Sequence, residues 1–265
     1  MRAIRVVLLA VMVAGCDSGA DKLVVTGSST LAPVITEVAA RFEEQTGMQV
    51  NVQSGGSGRG INDVRQGLAD IGMVSRALDE SEQDLDATVV ARDGIALIVH
   101  EDNPLEGINA DQVRALYTGG IDNWRALGGP DRPVTVINKS SGRATLTRFL
   151  EFFELNNRAV EPDMIIGENQ QGIQAVASDP AAIGYVSIGA AEYEAGAGTS
   201  IWLLALNGVE ASTEAVARGR YPLGRDLSLV TTGERGARVQ RFLDYAGSAA
   251  VRDLYRDHYF APLDD

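Results

Sequence analysis

Cysteine, histidine and basic runs are scarce in this sequence, and each scarcity argues against a class of protein. Cys16 is the only cysteine, which excludes a disulfide within the chain. His100 and His258 are the only histidines, and they have no metal-ligand spacing. The formal charge is −13 and no basic run carries interleaved aromatic residues, which argues against a nucleic-acid partner.

The common enzyme signatures are missing as well. No G-x-x-x-x-G-K-[ST] loop occurs, and the glycines of "GGSGRG" do not have the G-x-G-x-x-G spacing. The same segment misses the nucleophile elbow of hydrolases because Arg59 stands where the second glycine belongs. No histidine or carboxylate cluster accompanies the hydroxyl-rich loops, so a nucleophilic hydroxyl would lack a base. We therefore predict no enzyme, no metal and no cofactor.

The N-terminus is typical of an export signal. Arg2 and Arg5 precede an apolar run that is too short for a membrane-spanning helix, and small residues lead into Cys16. The ending "VAGC" resembles the lipobox of bacterial lipoproteins. That resemblance implies a signal peptide over residues 1–15, lipidation of Cys16 and a tether over residues 16–21. The alternative is a secretory signal that happens to contain a cysteine.

Strand and helix patterns alternate along the rest of the chain. "KLVVTG", "MQVNVQS" and "DIGMVS" are predicted strands. A helix with Val34, Val38 and Phe42 on one face follows the first strand, and Gly47 ends it. Ile61, Val64 and Leu68 predict a second helix. This alternation predicts an α/β fold with largely parallel sheets.

Three strand-to-helix junctions share one chemical design. "GSST", "GGSGRG" and "KSSGRAT" each place hydroxyl or glycine residues before a helix. A helix N-terminus offers unpaired amides and the positive end of the dipole, so it attracts anions. Arg59 and Arg143 stand at two of these junctions, and Ser75 and Arg76 end a strand nearby in sequence. An ordinary capped helix is the alternative at any single junction.

A wider set of segments resembles the phosphate-binding proteins that serve ABC importers. The similar segments, in order from about residue 22 to the C-terminus, are "TGSSTLAP", "SGGSGRGI", "ADIGMVSR", "YTGGIDNWRALGG", "INKSSGRATLTRF", "QGIQAVASDPAAIGYVSI" and "YPLGRDLSLVT". The resemblance implies a type II periplasmic-binding-protein fold: two α/β lobes, two crossing segments and a central cleft for one dehydrated anion. It implies one lobe from residues 22–97 and 206–265, and a second from residues 98–205.

The resemblance also implies a set of ligand-binding residues. Those in the first lobe are Thr30, Leu31, Ser57 and Ser75, to which the junctions add Ser29 and Gly58 and the strand end adds Arg76. Those in the second lobe are Lys139, Arg143, Ala144 and Thr145. Ser75 stands where many members have an aspartate that accepts the phosphate proton, and Lys139 stands where they have an arginine. Asp63 and Asp70 are candidates for the missing acceptor.

We therefore predict a monomeric solute-binding lipoprotein of the periplasm or cell surface. It captures phosphate between its lobes and delivers it to an ABC permease, and Cys16 holds it at the membrane. Binding or sensing of another oxyanion, such as sulfate, molybdate or arsenate, remains an alternative. A secreted phosphoryl or sulfuryl hydrolase is a further one.

Overall fold

A computed structural model describes residues 22–233 and 235–263. The predicted signal peptide, Cys16 and the whole of the predicted tether lie outside these ranges. The strands are β1 (Lys22–Gly27), β2 (Gln49–Ser54), β3 (Ile71–Val74), β4 (Leu85–His100), β5 (Gly107–Ile108), β6 (Thr135–Lys139), β7 (Met164–Ile166), β8 (Ala182–Ser187), β9 (Ile201–Leu203), β10 (Ala205–Leu206), β11 (Gly224–Thr232) and β12 (Ala261–Pro262). The helices are α1 (Ala32–Thr46), α2 (Ser57–Arg65), α3 (Ala110–Tyr117), α4 (Ala144–Phe152), α5 (Asn169–Ser178), α6 (Ile188–Gly196), α7 (Thr213–Ala217), α8 (Ala237–Ala246) and α9 (Arg252–Asp257).

The first two helices show how closely the apolar pattern predicts structure. In α1, the predicted face of Val34, Val38 and Phe42 is buried. Gly47 ends this helix with φ of 71°, a left-handed conformation that favours glycine. The prediction for α2 is wrong at its end, because the helix stops at Arg65 and Leu68 is 63% exposed. Gly67, with φ of 68°, turns the chain before Leu68 can join the apolar face.

One mixed sheet runs through the molecule in the order β2-β1-β3-β11-β4-β8-β6-β7, with β9 and β12 also paired to β4. The outer pairs are parallel: β1 with β2 and β3, and β6 with β7 and β8. The long strand β4 pairs antiparallel with β11 up to Gly94 and with β8 from Ile95 onward. It therefore crosses from one lobe to the other, and β11 returns beside it. This is the predicted two-lobed α/β fold.

Each lobe has its own apolar core. The first packs α1, α8 and α9 on the β1 side of the sheet, where the rings of Phe42 and Phe242 meet edge to face at 5.2 Å. The second packs β6 and β8 under α3 to α6, where Phe149 stacks on Tyr185 at 3.9 Å. Among the described residues, no helix is long and apolar enough to cross a membrane.

The segment before β11 packs with the second lobe. Leu206, Ala215, Val216 and Tyr221 belong to the larger core, together with Ile95 and Ile183. The backbone amide of Ile95 donates to the carbonyl of Leu223 at 3.1 Å, where the two crossing strands lie side by side. This packing favours a boundary between residues 223 and 224 over the predicted boundary between residues 205 and 206.

Candidate functional site

A small cavity lies between the lobes, close to the crossing strands. Its volume is about 10 Å³, which is room for about one water molecule. It is lined by Ser28, Ser29, Thr30, Gly56, Ser57, Ser75, Arg143, Ala144, Thr145, Gly167 and Asn169. Seven of the eleven predicted binding residues are in this lining. The structure therefore brings together most of the predicted set.

Four helices begin at this cavity: α1, α2, α4 and α5. The N-cap residues of the first three, Leu31, Gly56 and Arg143, make no side-chain capping bond. By contrast, Asn109, Ser187 and Ser212 cap α3, α6 and α7 with their side chains. The serines and threonines at the cavity are therefore not ordinary caps. Their hydroxyls and the positive helix ends face one enclosed space, which favours an anion.

Three serines at the cavity share one hydrogen-bond network. The hydroxyl of Ser28 donates to Oγ of Ser75 at 2.9 Å. The Ser57 oxygen accepts from the backbone amide of Ser75 at 3.1 Å. All three side chains are buried. Because Ser57 already accepts from this amide, its hydrogen remains for donation toward the cavity or to Ser75.

A buried ion pair between the crossing strands lies behind the cavity. Arg225 on β11 donates from Nε and Nη2 to Oδ2 of Asp93 on β4, at 3.1 and 2.7 Å. The side chains are 1% and 0% exposed. The same guanidinium reaches Oγ1 of Thr30 at 3.2 Å and Oγ1 of Thr145 at 3.1 Å, one threonine from each lobe. Since both oxygens accept from the arginine, both hydroxyl hydrogens remain free for a ligand.

Arg225 and Asp93 were missed in the sequence, although a signal for them exists. Arg225 lies in "YPLGRDLSLVT" and Asp93 in "VVARDGIALIVH", and each stands in or beside a strongly apolar stretch. Buried charges are rarely tolerated without a partner, so two opposite charges in two buried strands predict a pair. Ser28 and Gly56 stand within the predicted junctions without belonging to the predicted set, and Gly167 and Asn169, at the start of α5, were missed.

Arg143 lines the cavity but already has a carboxylate partner. Its Nη1 lies 2.7 Å from Oε1 of Glu168, the residue before α5. Ser54 of the first lobe lies 3.5 Å from the other Glu168 oxygen, so this pair also reaches across the cleft. The negative charge beside Arg143 in this structure is therefore that of Glu168.

Arg76 and Arg59 do not reach the cavity. Arg76 is paired with Glu82 at 2.6 Å, a contact that raises the pKa of the arginine and lowers that of the glutamate. Arg59 bonds to Asp63 at 3.0 Å and to the carbonyl of Ser54 at 3.2 Å. Both guanidiniums turn to carboxylates on their own lobe. The placement of Arg76 in the ligand set is therefore a prediction that the geometry does not favour.

Gly58 and Leu31 stand beside the cavity without lining it. The amide of Gly58 donates to the carbonyl of Gly142 in the other lobe at 3.2 Å. A Cβ on neighbouring Gly56 would lie 2.9 Å from the same oxygen, so only glycine allows this approach. Leu31 is fully buried in the first core. Gly58 thus contributes to contact between the lobes.

The two proposed proton acceptors lie elsewhere. Asp63 is held by Arg59, and Asp70 accepts from the backbone amide of Val24 at 2.8 Å. Neither lines the cavity. Among the described residues, none of the lining side chains is a carboxylate. The lining therefore offers hydroxyl, amide and guanidinium donors.

Lys139, at the end of β6, is buried behind Asn169. Its Nζ donates to the carbonyl of Glu168 at 3.2 Å and to Oδ1 of Asn169 at 3.3 Å. Asn169 in turn donates from Nδ2 to Oγ1 of Thr30 at 3.4 Å, across the cleft. Burial, with the charge of Arg225 as a further cause, lowers the pKa of Lys139 to about 7. The amine of Lys139 thus lies one hydrogen bond behind the cavity wall, next to Asn169.

The fold and the enclosed cleft define a two-lobed α/β binding protein. A family model described as a PBP superfamily domain matches residues 13–250. The chain belongs to this superfamily.

Individual relatives agree with this assignment. The chain is similar to the phosphate-binding protein PstS of Bacillus subtilis (strain 168), with 28% identity over 259 residues, 95% of this chain and 84% of the relative. It is also similar to a solved structure of a putative phosphate ABC transporter substrate-binding protein with bound phosphate from Clostridium perfringens. That pair has a TM-score of 0.85 and 27% identity, covering 92% of this chain and 100% of the other. An ABC-type phosphate transport receptor from Vibrio cholerae gives a TM-score of 0.77 and 25% identity, covering 91% and 100%.

Proposed function

We propose that the protein captures inorganic phosphate in the cavity between its lobes and delivers it to the permease of an ABC importer. The observation that carries the proposal is the convergence of four helix N-termini, buried hydroxyl groups and the Arg143 guanidinium on one small cavity, with Arg225 behind it. The names of all three relatives, a phosphate-binding protein, a phosphate transporter substrate-binding protein with bound phosphate and a phosphate transport receptor, support phosphate as the anion.

Binding requires the lobes to part and close again. The cavity holds about one water molecule, and several contacts span the two lobes around it. They include the Gly58 amide on the Gly142 carbonyl, Asn169 on Thr30, and Arg225 on Thr145. An anion enters when these contacts open, and hinge motion at β4 and β11 lets the lobes close on it. Closure then brings donors from both lobes to the same anion.

The donors suit a compact, highly charged ligand. Thr30 and Ser57 come from the first lobe and Arg143 and Thr145 from the second. In a cavity without bulk water, their hydrogen bonds to an anion are charge-assisted, which makes them shorter and stronger than neutral bonds. Each helix start adds amide donors and the positive end of its dipole. Together these groups replace the hydration shell that phosphate gives up.

Thermal unfolding tests the proposal. A ligand at about 100 times its dissociation constant stabilises the folded state by roughly 2.7 kcal/mol. We expect phosphate to raise the melting temperature, whereas chloride at matched ionic strength leaves it unchanged. A melting curve that millimolar phosphate does not move would contradict phosphate as the ligand.

The lipid anchor is a separate part of the proposal. We infer that lipidated Cys16 holds a monomeric protein at the membrane, in the periplasm or at the cell surface, on the basis of the "VAGC" sequence. Replacing Cys16 by serine should move the protein from the membrane fraction to the soluble fraction without changing its phosphate affinity. Unchanged membrane association of this variant would contradict lipid anchoring through Cys16.

A further inference from the structure

The hydroxyl groups of the cavity differ in what they can still offer a ligand. Oγ1 of Thr30 accepts from Nη2 of Arg225 at 3.2 Å and from Nδ2 of Asn169 at 3.4 Å. A hydroxyl oxygen has two lone pairs, and here both are occupied, so Thr30 can only donate to a ligand. Oγ1 of Thr145 accepts once, from Arg225 at 3.1 Å, and keeps one lone pair. Thr145 can therefore either donate or accept.

Three buried serines, Ser28, Ser57 and Ser75, form a serine cluster with the same freedom. Oγ of Ser75 accepts from the hydroxyl of Ser28 at 2.9 Å, and Oγ of Ser57 accepts from the Ser75 amide at 3.1 Å. The Ser57 and Ser75 oxygens lie 3.5 Å apart, and either can donate to the other. Apart from this contact, each of the two oxygens keeps one hydrogen and one lone pair. Rotation of a hydroxyl therefore lets the cluster present either a donor or an acceptor to the cavity.

The carboxylates beside the cavity have other partners. Asp93 lies 2.7 Å from Arg225, and Glu168 lies 2.7 Å from Arg143. Among the described residues that line the cavity, none is a carboxylate, and the Arg143 guanidinium only donates. A proton carried by a ligand therefore meets no lining side chain that accepts hydrogen bonds without also being able to donate them.

We propose that the cavity binds sulfate about as well as phosphate, because the serine cluster accepts a hydrogen bond from the hydroxyl of phosphate and donates one to the corresponding oxygen of sulfate. This inference rests on the proposed function and widens its ligand class to tetrahedral dianions. Dibasic phosphate and sulfate carry the same charge on the same tetrahedral arrangement of four oxygens, and they differ by one proton. A carboxylate would distinguish them by that proton, and hydroxyl groups that can turn do not.

The size of the expected difference follows from the same chemistry. One hydrogen bond contributes up to roughly tenfold in affinity, so exchanging an accepted bond for a donated one changes the ratio of the two dissociation constants by about that factor at most. A carboxylate in the same place would accept from the phosphate hydroxyl but would face a bare sulfate oxygen. Two negative groups in contact without bulk water repel each other strongly, so sulfate would then bind much more weakly.

Titration calorimetry with both anions tests the inference on the parent protein. Phosphate and sulfate are titrated separately in slightly alkaline chloride buffer of matched ionic strength, where phosphate is mostly dibasic. We expect one anion per chain and two dissociation constants within about tenfold of each other. Sulfate added before phosphate should weaken the apparent phosphate affinity as competition for one site requires. This comparison needs no variant, so it decides the inference by itself.

A matched pair of variants at Ser75 then tests the role of the serine cluster. Ser75→Asp introduces an acceptor that cannot donate, and it should weaken sulfate binding at least about tenfold more than phosphate binding. Ser75→Asn has nearly the same size without the charge, and it should lower both affinities to a similar extent. Equal losses of the two anions in Ser75→Asp would overturn the role of the cluster.

The outcomes on the parent separate the two proposals. Phosphate binding with sulfate more than about tenfold weaker, or with no sulfate binding, would overturn this inference and leave the proposed function intact. Absence of phosphate binding would instead overturn the proposed function.

Discussion

The base of the cavity and its rim hold charge in different ways. At the base, Arg225 and Asp93 lie on the crossing strands, are almost fully buried and bond to each other twice. At the rim, Arg143 and Glu168 stand at two helix starts, share one bond of 2.7 Å and are 18% and 37% exposed. The base belongs to the strands that both lobes share, while the rim belongs to the second lobe and reaches the first through Ser54.

This difference assigns separate roles to the two ion pairs: the base pair positions ligand-binding hydroxyls, and Arg143 of the rim pair contacts the ligand. The base pair holds two threonine hydroxyls, one from each lobe, and is formed as part of folding. The rim pair is exposed enough for its partners to part and for Arg143 to turn to a ligand. We therefore expect changes at the base to affect folding stability most, and changes at the rim to affect affinity most.

Arg225→Met should have the largest effect. It leaves the buried Asp93 carboxylate without its cation, and breaking a buried pair in this way costs about 3–5 kcal/mol of unfolding free energy. Urea unfolding measures this loss. A variant that unfolds within about 1 kcal/mol of the parent would contradict the structural role of the pair.

A double variant sharpens the same test. Asp93→Leu with Arg225→Met removes both charges and should recover part of the stability, because no unpaired charge remains. Its phosphate affinity should stay low, since Thr30 and Thr145 lose the donor that orients them. Recovery of both stability and affinity would show that the pair does not position these hydroxyls.

Arg143→Ala should lower affinity with little effect on folding. A hydrogen bond to a charged group contributes about 1.5–3 kcal/mol, which corresponds to roughly a ten- to hundredfold weaker dissociation constant. The partly exposed pair with Glu168 contributes little to stability. Titration calorimetry and urea unfolding measure the two effects. Arg158→Ala, exposed on a turn, is the control, and equal affinity in both variants would place Arg143 outside the site.

Thr145→Val should have the smallest effect of the three. It removes one buried hydroxyl while keeping the side-chain shape, at a cost of about 0.5–1.5 kcal/mol, or up to roughly tenfold in affinity. Thr147→Val is the matched control because Thr147 lies on the same helix and is exposed. If both variants bind phosphate equally well, the Thr145 hydroxyl does not contact the anion.

The sequence predicts the local features of this protein well. β1 has the predicted bounds, and α1 carries the predicted apolar face, because each depends on residues that are neighbours along the chain. The three hydroxyl-rich junctions were identifiable for the same reason, since helix starts have local signals. Helix α6, which follows β8 directly, was not predicted, although Ser187 caps it with a side chain of the kind that signals a helix start.

The rest of the site depends on contacts between distant parts of the chain. Arg225 meets Thr30 across 195 positions and Asp93 across 132 positions, and no periodicity encodes such pairs. Arg76 is the opposite case, a residue that was predicted to contact the ligand because it stands at a strand end. Glu82, only six residues further on, holds it instead. Where a cationic side chain turns depends on which carboxylates the fold places around it.

Titration calorimetry of phosphate into the parent protein and into the double variant Thr30→Val with Thr145→Val tests whether one phosphate binds between the lobes. We expect one phosphate per parent chain, and binding that is weaker by about tenfold or more in the double variant, because each lobe loses one hydroxyl donor. The double variant should keep the fold, since its side chains have the parent shape. Absence of phosphate binding to the parent, or equal binding to both proteins, would contradict a phosphate site between the lobes.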